Sequence, residues 1–153
     1  MKTLTSPADE LVIVQRLHRV TPNSQRLWGT MTPNQMFCHL ADSFGGVIGE
    51  RPMEMRDSFV ARTFMKWFAL YAPMHWPRGI KTGKFADQNR SGTPPAEFTR
   101  DRSALEAIQR RFIDRVKSDT EGVMHPLFGA LSATEWGRWG YLHVDHHLRQ
   151  FGV

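Results

Sequence analysis

Two helix-start signals constrain the fold of this chain more than any other feature. Thr32 and Gln35 form the residue pattern of a capping box, and Ser132 and Glu135 repeat that pattern near the other end of the chain. Apolar residues stand at the flanking staple positions in both places: Met31 with Met36, and Leu131 with Trp136. Each signal predicts that a long helix begins there.

Apolar side chains recur at intervals of three and four residues along most of the chain, which is the spacing of an amphipathic helix. No segment shows sustained alternation of apolar and polar residues, so we expect an all-α fold. The predicted helices cover five ranges: about 8–20, 32 to the mid-forties, 57–72, 101–118 and 132–152. Between them, residues 75–98 are rich in Pro, Gly and polar residues, which predicts a long lid, binding loop or mobile segment.

The composition fits one globular domain over residues 1–153. Hydrophobic residues make up 41% and charged residues 23%, which is enough apolar surface for a packed core. The single cysteine, Cys38, excludes an internal disulfide and suits a reducing compartment, so we expect a cytoplasmic protein. The strongest candidate for a membrane span, Ser58 to Trp76, is interrupted by Arg62 and Lys66, so we expect no membrane insertion.

The formal net charge of +5 raises the question of a nucleic-acid partner. The basic residues are scattered, and the densest cluster has helical apolar spacing around it: Arg110, Arg111, Arg115 and Lys117. Such a cluster is typical of a solvated helix face. We therefore do not expect nucleic-acid binding, and salt-dependent DNA binding would be the observation against this interpretation.

Two histidines stand in the middle of the apolar face of the last predicted helix. His143 and His147 share that face with a mostly apolar set: Trp136, Gly140, Val144, Gln150 and Phe151. Their spacing of four residues places their Cβ atoms about 5–6 Å apart, so both rings can reach one ion. A buried imidazole needs partners for its nitrogens. A shared cation would supply them, and so would backbone groups or tyrosine hydroxyls, and spacing alone leaves both open.

His39 is the candidate for a third ligand. It lies two turns into the other capped helix, beside an apolar stripe of Met36, Leu40, Phe44 and Val47, and the small Ser43 follows one turn later. Alone, such a histidine is more often a packed polar residue, but a histidine pair on a facing helix favours a metal site. Three imidazoles leave a coordination position open, as in catalytic zinc centres, and imidazole suits zinc and nickel alike.

The segment from His143 to Gln150, with the sequence HVDHHLRQ, resembles the closing motif of the DinB/YfiT-like superfamily of metalloenzymes. Trp28-Gly29 followed by Met36-x-x-His39 is similar to the first metal motif of that superfamily. With the His125-Pro126-Leu-Phe-Gly segment, the pattern resembles an uncharacterised subgroup, and the likeness extends from about residue 15 to the end of the chain.

The resemblance implies a four-helix bundle, here with an extra short N-terminal helix, in which His39, His143 and His147 bind one divalent ion. It implies thiol-dependent transferase or isomerase chemistry on an electrophilic small molecule, with a low-molecular-weight thiol as a partner. Gln150 would then contact a ligand from the same helix face. No catalytic general base is identified.

Other residues are weaker candidates. His146 projects away from the midline of the pair, so we expect it at the surface or behind the ligands, and Ser43 and Trp136 are further candidates to line the cavity. His75 and His125 adjoin proline turns and could approach the cavity mouth. Cys38 points away from His39 and is interpreted as a small packed residue rather than a thiolate.

Three functions remain open on the sequence, and the weakest is a nucleic-acid or partner-binding bundle that uses the basic surface from Arg110 to Lys117. The first is a metal-dependent enzyme, a transferase or a hydrolase. The second is a non-catalytic metal-binding or stress-response module in which the ion ties distant helices together. The predicted 57–72 helix carries more aromatic bulk than one buried stripe needs, which also predicts a homodimer interface.

Overall fold

The computed structural model describes residues 1–55, 59–80 and 82–153, and this part of the chain is mostly helical. Its α-helices are α1 (Pro7–Arg19), α2 (Pro33–Val47), α3 (Lys66–Tyr71), α4 (Phe98–Ser118) and α5 (Ala133–Gln150). A π-helical turn covers Ala61–Met65, and a 3-10 turn covers Lys84–Ala86. The expectation of a predominantly α-helical protein is confirmed.

Side-chain caps set the starts of the long helices. Both predicted capping boxes are present, with Thr32 and Ser132 accepting from the amides of Gln35 and Glu135. The start of α4 at Phe98 is three residues earlier than the sequence pattern predicts. Because the Glu97 carboxylate accepts from two amides of the first turn, it caps the helix before the apolar periodicity begins.

The third predicted helix, 57–72, is only partly regular. Residues 57 and 58 lie outside the described residues, and the helical segment that follows opens in the π-helical turn before α3. The predicted loop at 75–98 is also not structureless, since it contains the 3-10 turn; residue 81 lies outside the described part. This loop folds back over α2, and that contact shapes the candidate site.

A two-stranded antiparallel hairpin, β1 (Met124–His125) with β2 (Gly129–Ala130), is the small departure from an all-α fold in the described residues. His125 stabilises its turn, because His125 Nδ1 accepts hydrogen bonds from the amides of Leu127 and Phe128. Gly129 has a φ of 71°, a conformation that glycine adopts without strain. Strands of two residues are too short to leave a periodic sequence signal.

The helices pack around α5. It contacts α1, α2, α3 and α4, while α2 packs chiefly against α4. The N-terminal helix α1 packs directly against α5. Asp145 lies on the polar side of α5 and is nevertheless buried, because Arg16 of α1 forms a 2.6 Å ion pair with it.

The basic cluster on α4 is partly neutralised by acidic partners. Arg111 pairs with Glu50 at 3.0 Å, and Arg115 pairs with Asp119 at 3.3 Å. These are exposed ion pairs of the kind that a solvated helix face carries. In the described residues, none of the helices combines the length and the apolarity that crossing a bilayer requires.

Candidate metal centre

Three imidazoles from α2 and α5 meet inside the protein. One ring nitrogen each from His39, His143 and His147 lie within 4.8 Å of one another. His39 Nε2 is 3.0 Å from His143 Nε2, and the His39 ring centroid is 4.6 Å from that of His147. This buried histidine triad, as we call it from here on, could hold a metal ion.

The local sequence explains why the rings face inward. His143 and His147 are one turn apart on α5, and their ring centroids are 5.2 Å apart. Val144 and Leu148, beside them on the same helix, are fully buried, so the helix cannot rotate this face toward solvent without exposing its core. His39 is 4% exposed on α2, whose apolar stripe packs into the same core.

The loop before α4 orients His39. His39 Nδ1 lies 2.8 Å from the Ala86 carbonyl oxygen, and since a carbonyl only accepts, Nδ1 carries the proton. The lone pair of the neutral ring is therefore on Nε2, the nitrogen that faces the triad. Histidine metal ligands are commonly oriented in this way by a backbone carbonyl.

The loop is itself fastened to α2 by Asp42. This carboxylate is 3% exposed and accepts from the Thr93 amide at 2.7 Å, from Gln88 Nε2 at 3.1 Å and from Arg51 at 2.7 Å. Asp42 is one helical turn from His39, so the residues that fix the loop also fix the carbonyl that orients the ring.

Gln150 orients His147. Gln150 Nε2 donates to the Trp28 carbonyl at 2.9 Å, so Oε1 is the atom that faces His147 Nδ1 at 3.1 Å and accepts its proton. The lone pair of His147 is therefore on Nε2. Gly29 makes this contact possible, because its φ is 75° and a Cβ there would lie 2.5 Å from Gln150 Nε2.

His143 has a nitrogen that the protein leaves unsatisfied. Its Nδ1 is buried and has no hydrogen-bond partner in the described part of the chain. Two indole rings pack against the His143 ring instead, with centroid-to-centroid distances of 5.1 Å to Trp139 and 5.9 Å to Trp76. A buried polar atom without a partner is costly, which is typical of a functional site rather than of a packed core.

Burial favours the neutral form of all three rings. Burial lowers the pKa of His39, although the hydrogen bond to Ala86 opposes that effect. Burial, followed by the neighbouring His39, lowers the pKa of His143 and of His147 well below the ordinary value. The triad is therefore neutral at neutral pH, which is the form of imidazole that binds metals.

The donor set fits a shared cation better than it fits a shared proton. A proton on His143 Nε2 could bond to His39 Nε2, but it would leave His147 Nε2 unused. Two nitrogens bound tetrahedrally to one zinc ion, each at 2.0–2.1 Å, lie about 3.4 Å apart. The nitrogens of His39 and His143 are 3.0 Å apart, and all three ring nitrogens lie within 4.8 Å of one another, a range that includes the zinc separation. Small side-chain rotations are therefore enough to place the three nitrogens around one ion.

The structure places the other predicted residues in different surroundings. Ser43 Oγ donates to the His39 carbonyl at 2.8 Å within α2. Trp136 is fully buried against Phe112 and Trp139, so it supports the core beneath the triad. His146 lies behind the triad, with its ring centroid 5.3 Å from that of His147.

Cys38 and His125 are buried away from the triad's open nitrogens. Burial, and then Asp101, raises the pKa of the Cys38 thiol to about 12, which leaves it protonated and unreactive at neutral pH. Burial lowers the pKa of His125 to about 3, and its ring stacks on Phe128 and contacts Trp139.

Sequence reasoning missed Trp76, Trp139 and Asp42. Trp76 stands in a segment without periodicity, so no pattern could place it beside His143. The signal for Asp42 was available, because a carboxylate within the apolar helix α2 needs a partner when it is buried.

Comparison with known proteins adds one relationship. No curated protein and no solved structure matches the chain. The sequence profile of the family described as "Protein of unknown function (DUF1569)" matches residues 3–152, which include the whole histidine triad and both segments that orient it. On that match, the chain belongs to the DUF1569 family.

Proposed function

We propose that this protein is a metal-dependent enzyme in which His39, His143 and His147 hold one divalent ion, zinc or nickel. The convergence of three ring nitrogens within 4.8 Å of one another supports the proposal most strongly. We further propose that the helices form a four-helix bundle of the DinB/YfiT-like type, with α1 as the extra short N-terminal helix.

The proposed ligand set has a consequence for the substrate. Three neutral imidazoles contribute no negative charge and leave at least one coordination position, so an anionic fourth ligand is favoured electrostatically. When bound, a divalent ion in such a site lowers the pKa of a coordinated water to about 7 or stabilises a thiol as its thiolate. This chemistry agrees with thiol-dependent transfer or isomerisation of an electrophilic small molecule.

The protein's own contribution is orientation and exclusion of water. The Ala86 carbonyl and Gln150 fix the tautomers of His39 and His147, so that both Nε2 lone pairs are available without rearrangement. Trp76 and Trp139 pack against His143 and help to shield its buried Nδ1 from water. Orienting groups on two of the three ligands match the demands of a catalytic site, which must hold its geometry while a coordination position changes occupant.

Metal content is the first test. Elemental analysis of the purified protein should give one divalent ion per chain, and His39→Ala, His143→Ala and His147→Ala should each lose it. His18→Ala is the matched control, because His18 is exposed on α1 and its one hydrogen bond within the described residues is to Glu106. Retention of full metal content in all three triad variants would overturn the site.

Turnover is the second test. Metal-loaded protein is assayed with cellular low-molecular-weight thiols and a panel of epoxide, quinone and maleyl electrophiles, beside His147→Ala. Activity that depends on both the ion and a thiol supports the proposed reaction. Stoichiometric metal without turnover on any pair would instead favour the non-catalytic metal-binding module, in which metal raises the melting temperature through folding energy.

We also propose that residues 59–71 form a homodimer interface. Large apolar side chains are exposed at intervals along this segment, including Phe59, Phe64 and Trp67, which are 80%, 67% and 57% exposed. Sedimentation should show a dimer that Phe64→Lys converts to a monomer. A wild-type monomer at high concentration would contradict the interface without affecting the metal site.

A further inference from the structure

A cleft of about 400 Å³ lies beside the histidine triad at the C-terminal end of α5. Trp28 and Trp76, from the segments that follow α1 and α3, line it together with His146 and Arg149 of α5. The Trp76 ring contacts both His143 and His146, with centroid distances of 5.9 Å and 6.1 Å. The cleft and the triad are therefore separated by one indole ring and share His146 as a neighbour.

The charged side chains of this cleft carry excess positive charge. Asp145 is its one acidic side chain among the lining residues, and it bonds to both Arg16 and Arg149, at 2.6 Å and 2.7 Å. Arg16 also donates to the Val153 main-chain oxygen at 2.8 Å, so Arg16 and Arg149 are both engaged by acceptors at this edge of the cleft.

Arg78 supplies the excess positive charge of the cleft, already oriented. Its guanidinium carbon lies 4.5 Å from the centroid of the Trp28 ring, which is the geometry of a cation–π contact. In the described part of the chain, Arg78 has no acidic partner within ion-pair distance. A stacked guanidinium keeps its N–H edge available, and that edge can bind a carboxylate with two parallel hydrogen bonds.

We propose that this cleft binds small organic anions that combine an aromatic or other flat apolar part with a carboxylate. The flat part would lie against Trp28 and Trp76, and the carboxylate would bind Arg78 beside Arg149. Delivery of such an anion to the triad as a substrate rests on the function proposed above. Binding in the cleft does not, because none of the three proposed metal ligands lines it.

Calorimetric titration with 2-naphthoate and with the uncharged 2-naphthamide tests the proposal, since the two probes share one ring system. The full-length protein is titrated as purified and again after metal chelation. We expect 2-naphthoate to bind at least about tenfold more tightly than 2-naphthamide in both forms, because a hydrogen bond to a charged group contributes about that factor. Added salt should weaken only the binding of the anion.

Arg78→Gln should lower the affinity for 2-naphthoate about tenfold and leave that for 2-naphthamide unchanged. Arg110→Gln, which removes an exposed arginine of α4, should change neither. Equal affinities for both probes, no effect of Arg78→Gln, or the absence of binding would overturn the proposal.

A third variant separates this inference from the proposed metal site. His147→Ala should lose metal and retain 2-naphthoate binding, so the cleft proposal survives even if the triad proves not to bind metal. Binding of 2-naphthoate that disappears after chelation would place the anion on the ion and not in the cleft, and would overturn the proposal.

Discussion

Gln150 provides the sharpest test of how the triad is held together. This side chain is 4% exposed and makes two hydrogen bonds with opposite roles: it accepts from His147 Nδ1 and donates to the Trp28 carbonyl. Gln150→Leu removes both bonds with little change in volume. Gln150→Glu keeps an acceptor for His147 but cannot donate to Trp28. The pair of variants therefore separates the orientation of the ligand from the stability of the fold.

The magnitudes follow from the two contacts. A buried polar group left without its partner costs about 1–3 kcal/mol. Since Trp28 is half-buried, water can partly satisfy its carbonyl, so we expect Gln150→Leu to lose about 2 kcal/mol of unfolding free energy. Loss of the group that orients a histidine ligand typically lowers metal affinity by about 10–100-fold. Gln150→Glu should lose similar stability and keep wild-type or higher metal affinity.

The assay needs two independent measurements. Metal affinity is obtained by competition with a chromophoric chelator at fixed pH, for zinc and for nickel separately. Stability is obtained by urea denaturation of the metal-free protein, where changes in metal affinity cannot contribute. Equal losses of affinity in the Leu and Glu variants would refute the orienting role, as would wild-type affinity in Gln150→Leu.

Three further outcomes are expected. Gly29→Ala places a methyl group against the Gln150 amide at a positive φ, so it should lower both stability and metal affinity. The same two assays measure both quantities, and an unchanged affinity would show that the Gln150 contact is dispensable. Asp42→Asn should release the loop that carries Ala86. We expect faster hydrogen exchange over residues 84–93 and weaker metal binding, and wild-type exchange would contradict the role of Asp42 in holding the loop. Because burial lowers the pKa of His125 from 6.5 to about 3, the unfolded chain binds more protons than the folded protein between those values, and stability falls as the pH drops. His125→Asn keeps an acceptor for the turn and should flatten the measured stability–pH slope by up to about 1.4 kcal/mol per pH unit in that window, and an unchanged slope would argue against a buried neutral ring.

Local sequence signals were sufficient for the helices that carry the candidate ligands. The caps at Thr32 and Ser132 start α2 and α5 where the sequence places them, because a cap depends on contacts within three residues. The shared face of His143 and His147 is likewise a property of one helix and its 3.6-residue repeat. Apolar periodicity did not predict the early start of α4 at Phe98, because that start is set by the Glu97 cap and not by apolar spacing.

Long-range packing fixed what no local pattern carries. His39 and His143 are separated by 104 residues, and their 3.0 Å contact exists because α2 and α5 pack around one core. Burial of Asp145 likewise depends on α1, which supplies Arg16 across the polar side of α5. Periodicity gives the direction of a side chain relative to its own helix axis, whereas the distance between two side chains depends on how separate helices pack.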